Sequence, residues 1–244
     1  MTTKNEYETE NKSLKDEFKQ AYKTDPSTNI KSFVEDGIVN PDKWFSDNQK
    51  YKGKKILFLL KETHSDESWP FVEWLSKLAE FKNIDHRILH LWKRVVQWTY
   101  GLINTDTQKI APFCYEEFEH NFSEYINNIA VVNVKKTGGG ASANMDVIQE
   151  HAKNKNYKDL LKRQIKLIDP DIIVCGYTFG ALNEILGGVS KDWNANRFYY
   201  SKAFGDRERL ILDYYHPANR YPDILNYYSL AAIYQQALLS KCKS

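Results

Sequence analysis

Three continuous apolar runs constrain the fold of this chain most strongly. They are KKILFLL at residues 54–60, NIAVVNV at 128–134 and DIIVCG at 171–176. Continuous rather than alternating hydrophobicity is typical of strands that are buried on both faces. Segments with the helical spacing of apolar residues lie between the runs, and this alternation predicts a parallel sheet with helices on both faces.

The second half of the chain continues the same α/β pattern. Helices are predicted at 158–168 and 178–186, and paired strands RFYYSK and RLILDYY follow at 197–202 and 209–215. The chain closes with a helical segment, DILNYYSLAAIYQQALLS. A chain of 244 residues is long enough to bury one such α/β core.

The pattern also predicts where the α/β domain begins. Residues 1–50 are polar and carry Leu14, Phe18 and Tyr22 at helical spacing, so we expect a helical N-terminal extension. The α/β domain is then expected over residues 51–244, with a helical insertion at about 77–127.

Composition narrows the possible classes of protein. The 34 Lys and Arg nearly balance the 32 Asp and Glu, so any nucleic-acid surface must be a local patch. The sequence has neither a signal peptide nor an apolar stretch of membrane-spanning length, which predicts a cytoplasmic protein with no membrane partner. Cys114, Cys175 and Cys242 lack CxxC spacing, and we therefore expect no metal and no cofactor.

Polar loops follow three of the predicted strands, at 61–68, 133–144 and 216–222. Because reactive loops of parallel sheets gather at the carboxyl ends of the strands, these loops are expected to share one rim. Glu62 at a strand end could orient a water molecule; the alternative is an exposed loop acid. His216 in YYHPAN could hydrogen-bond a departing group, or could be structural.

Three further features suit nucleic-acid chemistry. Asn133 interrupts an apolar strand and could offer a donor and an acceptor to a base, although a local turn contact is equally possible. Phe71 in WPFVEW could stack on a base, or could be a core aromatic. The triple glycine that follows Lys135 and Lys136 could wrap a phosphate, but it lacks P-loop spacing, and it could also be a flexible turn.

The order of these motifs resembles that of the uracil-DNA glycosylase superfamily, especially its iron-sulfur bacterial and archaeal branch. The matching segments are ILFLLKETHS, WPFVEW, AVVNVKKTGGG, LLKRQIKLIDPDIIVCGYTFGAL and YYHPANRYP, and they span roughly residues 54–232. The resemblance implies a three-layer α/β/α fold around a central, mostly parallel four-stranded sheet. It also implies a monofunctional DNA glycosylase that flips out its target base.

The resemblance assigns roles residue by residue. Glu62 would activate water, Phe71 would stack on the base, Asn133 would read the base edge and His216 would stabilise the leaving base. The residues expected to contact the DNA backbone or enter the duplex are Lys135, Lys136, Thr137, Gly138, Asn219, Arg220 and Tyr221.

The first loop departs from the family pattern. Lys61, Thr63, His64 and Ser65 replace the glycines and proline of the family's GEAPG motif, and the cluster cysteines are absent. We expect Lys61, Thr63, His64 and Asp66 to line the base pocket, where His64 or Asp66 could share the catalytic role.

The altered loop is similar to that of phage-defence glycosylases that excise glucosylated 5-hydroxymethylcytosine. The expected partner is therefore double-stranded DNA that contains a modified base, bound by a monomer. The alternatives are a repair glycosylase for uracil or deaminated bases, a catalytically silent sensor of DNA or modified bases, and an enzyme of free nucleosides.

Overall fold

The computed structural model describes residues 2–65, 67–80, 86–139, 143–188 and 196–242. Within them a single six-stranded sheet runs in the order β1-β3-β2-β4-β6-β5. The strands are β1 (Gly37–Ile38), β2 (Ile56–Leu60), β3 (Ile129–Asn133), β4 (Ile172–Gly176), β5 (Phe198–Ser201) and β6 (Arg209–Tyr214).

The prediction of a four-stranded sheet was wrong in the number of strands. The four central strands are parallel, and an antiparallel strand is added at each edge, β1 beside β3 and β5 beside β6. β1 has only two residues, too few to show a period in the sequence, and its hydrogen-bonded pairing with β3 defines it. The α/β class and the mostly parallel sheet are as predicted.

Helices cover both faces of the sheet. They are α1 (Lys4–Thr24), α2 (Pro41–Trp44), α3 (Phe71–Ser76), α4 (His86–Asn104), α5 (Tyr115–His120), α6 (Phe122–Asn127), α7 (Met145–Lys153), α8 (Lys155–Ile168), α9 (Phe179–Leu186) and α10 (Asp223–Lys241). Alternate strand residues point to opposite faces. Phe58 and Val131 therefore pack with α3 to α6 and α10, whereas Leu57 and Val132 pack with α1 and α7 to α9. None of the helices in the described ranges is long and apolar enough to cross a membrane.

The N-terminal segment shares this core. Leu14, Phe18 and Tyr22 of α1 are buried in the same cluster as α8, which confirms the predicted helical face. The Tyr22 hydroxyl accepts a hydrogen bond of 2.8 Å from the backbone N–H of Lys136. Since β1 also pairs with β3, the segment before residue 40 supports the strand that leads to the polar rim.

A buried ion pair lies where β3 ends. The Lys136 ammonium donates to Asp36 and to Gln164, at 2.7 Å each, and the two charged side chains are 2% and 1% exposed. Burial lowers the pKa of Lys136, and the Asp36 carboxylate offsets this effect only in part. Asp36 also accepts from the backbone N–H of Asn133 at 2.6 Å, so the pair fixes the end of the strand.

Replacing Asp36 with Asn leaves the Lys136 ammonium buried without a countercharge. We expect the free energy of unfolding to fall by about 3 kcal/mol, because removing one partner of a buried pair commonly costs about 3–5 kcal/mol. The matched change Glu17→Gln breaks an exposed pair with Arg163 and should cost less than about 1 kcal/mol. Urea denaturation followed by circular dichroism measures both, and equal losses would contradict this account.

Candidate functional site

Four loops meet at the carboxyl edge of the parallel strands. The loop after β2 and the loop after β3 continue side by side beyond the sheet, where Lys135 N–H donates to the Lys61 carbonyl at 2.9 Å. At the end of β4, a Cβ added to Gly176 would lie 2.7 Å from Leu60 and 3.4 Å from Pro217. The loops after β2, β3, β4 and β6 therefore form one rim, as the sequence predicted for three of them.

Glu62 is held inside this rim. Its side chain is only 7% exposed and forms an ion pair with the Lys135 ammonium. The same ammonium donates to the Gly138 carbonyl at 3.1 Å. The alternative of an exposed loop acid is therefore excluded by the structure, and Lys135 contacts Glu62 rather than projecting outward toward a phosphate.

Two glycines make room for this arrangement. A Cβ added to Gly139 would lie 2.0 Å from Glu62 Oε1, and one added to Gly138 would lie 1.6 Å from the Ser65 carbonyl oxygen. Real side chains do not tolerate such distances. A side chain in place of Gly138 would overlap backbone, and one in place of Gly139 would push the Glu62 carboxylate out of its position.

The expected phosphate-binding loop is not formed by these residues. The backbone N–H of Gly138 donates to Ser32, and that of Gly139 donates to the Thr63 carbonyl at 3.0 Å. Lys136 and Thr137 are 2% and 1% exposed. Because their polar groups face the interior, the prediction that Lys136, Thr137 and Gly138 contact DNA was wrong. Gly140 lies outside the described residues.

Asn133 is buried at the end of β3. Its Nδ2 donates to Asp36 at 3.3 Å, beside the shorter bond from its own backbone N–H. The two ends of an amide differ chemically, one a donor and one an acceptor. The bond to Asp36 therefore fixes the orientation of the amide: Nδ2 faces Asp36, and Oδ1 faces away from it.

Phe71 is a core residue and not an exposed platform. It is 3% exposed, and its ring packs edge-on against Trp69 at 5.2 Å and against Trp92 at 5.8 Å between centroids. The stacking role predicted for Phe71 was therefore wrong, because the helical periodicity around it describes a buried face.

The first loop supplies the remaining pocket candidates. The Lys61 ammonium lies over the ring of Tyr177, 5.0 Å from its centroid. Thr63 Oγ1 is buried and has no hydrogen-bond partner among the described residues. His64 is exposed, and Asp66 lies outside the described residues.

His216 is a neutral imidazole of defined tautomer. Burial is the main cause that lowers its pKa to about 4, and the positive charge of Lys61 lowers it further. Nδ1 accepts a hydrogen bond of 3.2 Å from the Ala218 N–H. The proton must therefore be on Nε2, and His216 can donate from that atom at neutral pH.

A buried arginine, which the sequence did not point to, holds the loop after His216. Arg94 of α4 donates to the carbonyls of Pro217, Asn219 and Tyr221 and pairs with Asp223 at 2.6 Å. On the helical pattern alone Arg94 resembles any polar residue of α4. Only the tertiary structure places its guanidinium beneath this loop.

The loop residues predicted to enter DNA divide into two kinds. Asn219 is tied to His216 and to Asn226 through its side-chain amide, so it shapes the loop and its amide is already used. Arg220 and Tyr221 are exposed and are placed where a partner can reach them.

Tyr177 is a second residue of the rim that the sequence did not point to. It is 54% exposed and directly follows β4, so it belongs to the fourth loop of the rim. The only signal in the sequence was its position after the strand DIIVCG.

The described residues contain no group of three or more His, Cys, Asp or Glu side chains that could hold a metal ion. The sequence was compared with protein-family models and with curated proteins, and neither comparison gives a match.

The close packing of Gly139 on Glu62 can be tested by a double-mutant cycle. We expect Gly139→Ala to cost about 1–3 kcal/mol of stability, as overpacking does. The same change should cost at least about 1 kcal/mol less in a Glu62→Ala background, because the clash is removed. Urea denaturation of the four proteins gives the coupling, and additive losses would disprove the contact.

The pKa of His216 reports the effect of the positive charge on Lys61. Lys61→Met should raise the pKa of His216 from about 4, but leave it below the ordinary value because burial is the larger cause. A nuclear magnetic resonance titration of the imidazole nitrogens measures both the pKa and the tautomer. An unchanged pKa, or a proton on Nδ1 at pH 7, would contradict the geometry of this loop.

Proposed function

We propose that this protein is a monofunctional DNA glycosylase, which flips a modified pyrimidine out of double-stranded DNA and hydrolyses its N-glycosidic bond. The strongest support is that two complementary catalytic groups, a carboxylate and an imidazole, lie at one rim. Glu62 is a sheltered carboxylate, and His216 is a neutral imidazole whose Nε2 carries the proton. The first suits water activation, and the second suits stabilisation of a departing base.

The reaction assigns each group a step. Glu62 orients a water molecule toward C1′ of the sugar and accepts its proton as the new C–O bond forms. The C1′–N bond breaks, and its electron pair leaves with the base. His216 donates from Nε2 to the base oxygen on which this charge develops. Lys61, whose charge already acts on His216, adds a positive field at the same place.

Two polar groups are available to recognise the base. Thr63 Oγ1, buried without a partner among the described residues, can pair with a polar base edge, since an unpaired buried hydroxyl is costly. Asn133 is oriented by Asp36, which supports a role for its oxygen as an acceptor. Arg220 and Tyr221 remain the candidates for contact with the duplex.

The proposed substrate is glucosylated 5-hydroxymethylcytosine in phage DNA, and the proposed role is antiviral defence. This part follows from the resemblance of the KETHSD loop to that of phage-defence glycosylases. Uracil repair uses the same catalytic groups with a different pocket, and a silent sensor would use the pocket alone.

The test is an excision assay with matched variants. Duplexes with uracil, 5-hydroxymethylcytosine or its glucosylated form are incubated with the protein, and free base and alkali-labile sites are measured. Glu62→Gln and His216→Asn should each lower the rate at least about 100-fold, the lower end of what general acid–base groups contribute. The control Glu67→Gln changes an exposed acid of the same loop and should retain the wild-type rate.

Each outcome selects one function. Cleavage confined to glucosylated DNA supports the defence enzyme, and cleavage of uracil DNA supports a repair enzyme. Binding of modified DNA without cleavage of any duplex would leave only the sensor. Full activity of Glu62→Gln would overturn the assigned mechanism.

A further inference from the structure

The burial of Phe71 removes the aromatic platform that the sequence predicted. Base binding by proteins commonly relies on stacking against an aromatic side chain. Tyr177 lies at the rim, is 54% exposed and follows the central strand β4. Tyr221 in the loop after β6 is also exposed. Tyr177 is distinguished from it by the contact of its ring with Lys61 of the catalytic loop.

The backbone of Tyr177 is strained. Its φ is +62°, in the left-handed region that costs a residue with a side chain free energy and that glycine adopts readily. Its N–H donates to the carbonyls of Cys175 and Tyr214 at 2.9 and 2.8 Å. These bonds keep the residue in this conformation, although a glycine would fit it better.

The neighbours on both sides hold Tyr177 in place. Gly176 packs so closely on Leu60 that a Cβ would overlap the leucine side chain, and it also lies beside Pro217. Thr178 is fully buried, and its hydroxyl donates to the Leu59 carbonyl at 2.7 Å. An exposed aromatic kept in a strained conformation by rigid neighbours is a sign of function, because strain of this kind concentrates at binding sites.

Lys61 orients the ring. Its ammonium sits 5.0 Å from the ring centroid, a cation–π contact, and burial lowers the pKa of Lys61 while Glu62 opposes this shift. One face of the ring is therefore covered by a cation that belongs to the catalytic loop. The exposed area of the ring is left for a flat partner.

We propose that Tyr177, backed by Lys61, is the binding surface on which the flipped nucleobase stacks. The ligand class is a planar aromatic base within DNA, and the inference rests on the proposed function. The arrangement serves catalysis as well as binding. A base that leaves with negative charge stays near the Lys61 ammonium, while His216 donates to its oxygen.

The test distinguishes loss of stacking from misfolding, because a glycine at position 177 removes both the ring and the backbone strain. In a Glu62→Gln background that does not cleave, affinity for the duplex bearing the excised base is measured by fluorescence anisotropy. Tyr177→Gly and Tyr177→Ala should each bind roughly 5- to 150-fold more weakly, the range for loss of one base–aromatic stack. Tyr177→Phe should bind like its parent, and Tyr115→Ala, which removes an equally exposed tyrosine of α5, should leave affinity unchanged.

Stability should not fall together with affinity in the glycine variant. Tyr177→Gly removes the strain and should unfold at an equal or higher urea concentration, so its weaker binding could not be ascribed to misfolding. Unchanged affinity of Tyr177→Gly, with excision by the wild type and none by Glu62→Gln, would overturn the inference and retain the glycosylase. Failure of the wild type to cleave or bind any modified duplex would overturn the proposed function and the inference with it.

Discussion

The contact between the loops after β2 and β3 governs the geometry of the rim. Gly138 and Gly139 let the second loop lie so close to Ser65 and Glu62 that a Cβ on either glycine would overlap them. This approach brings the Lys135 ammonium to the Glu62 carboxylate. Lys61, the neighbour of Glu62, then faces Tyr177 and acts on His216. The positions of Glu62 and of the Lys61 charge beside His216 therefore depend on this contact.

Buried polar and charged side chains on both faces of the sheet fix the loops of the rim. On one side, Asp36, Lys136 and Gln164 hold the end of β3 and orient Asn133. On the other side, Arg94 binds three carbonyls of the loop after His216. Buried ions are costly unless paired and hydrogen-bonded, and these are both. Such supports limit movement of the loops, as a site that must align several groups requires.

The sequence was sufficient for the central strands, but not for the short edge strand β1 or for the side-chain environments. Continuous apolar runs predicted β2, β3 and β4, and each is buried throughout. Strand ends located Glu62 and His216 at one rim. The role of Phe71 was misassigned because periodicity cannot tell a core aromatic from a platform, and that of Lys136 because charge alone does not reveal burial. Arg94 was missed because its role depends on tertiary contacts with the loop after His216. Tyr177 was missed because its exposure and its positive φ are not visible in the sequence.

In the proposed function, the carboxyl edge of the sheet is the surface that receives DNA. Hydrogen exchange of Glu62→Gln, alone and with a duplex that contains the modified base, tests it most directly. We expect slower exchange in the loops that follow β2, β4 and β6, which carry Thr63, Tyr177 and Ala218, and no change at the opposite edge near Asp171. Protection confined to that opposite edge, or to the outer surface of α8, would contradict the account.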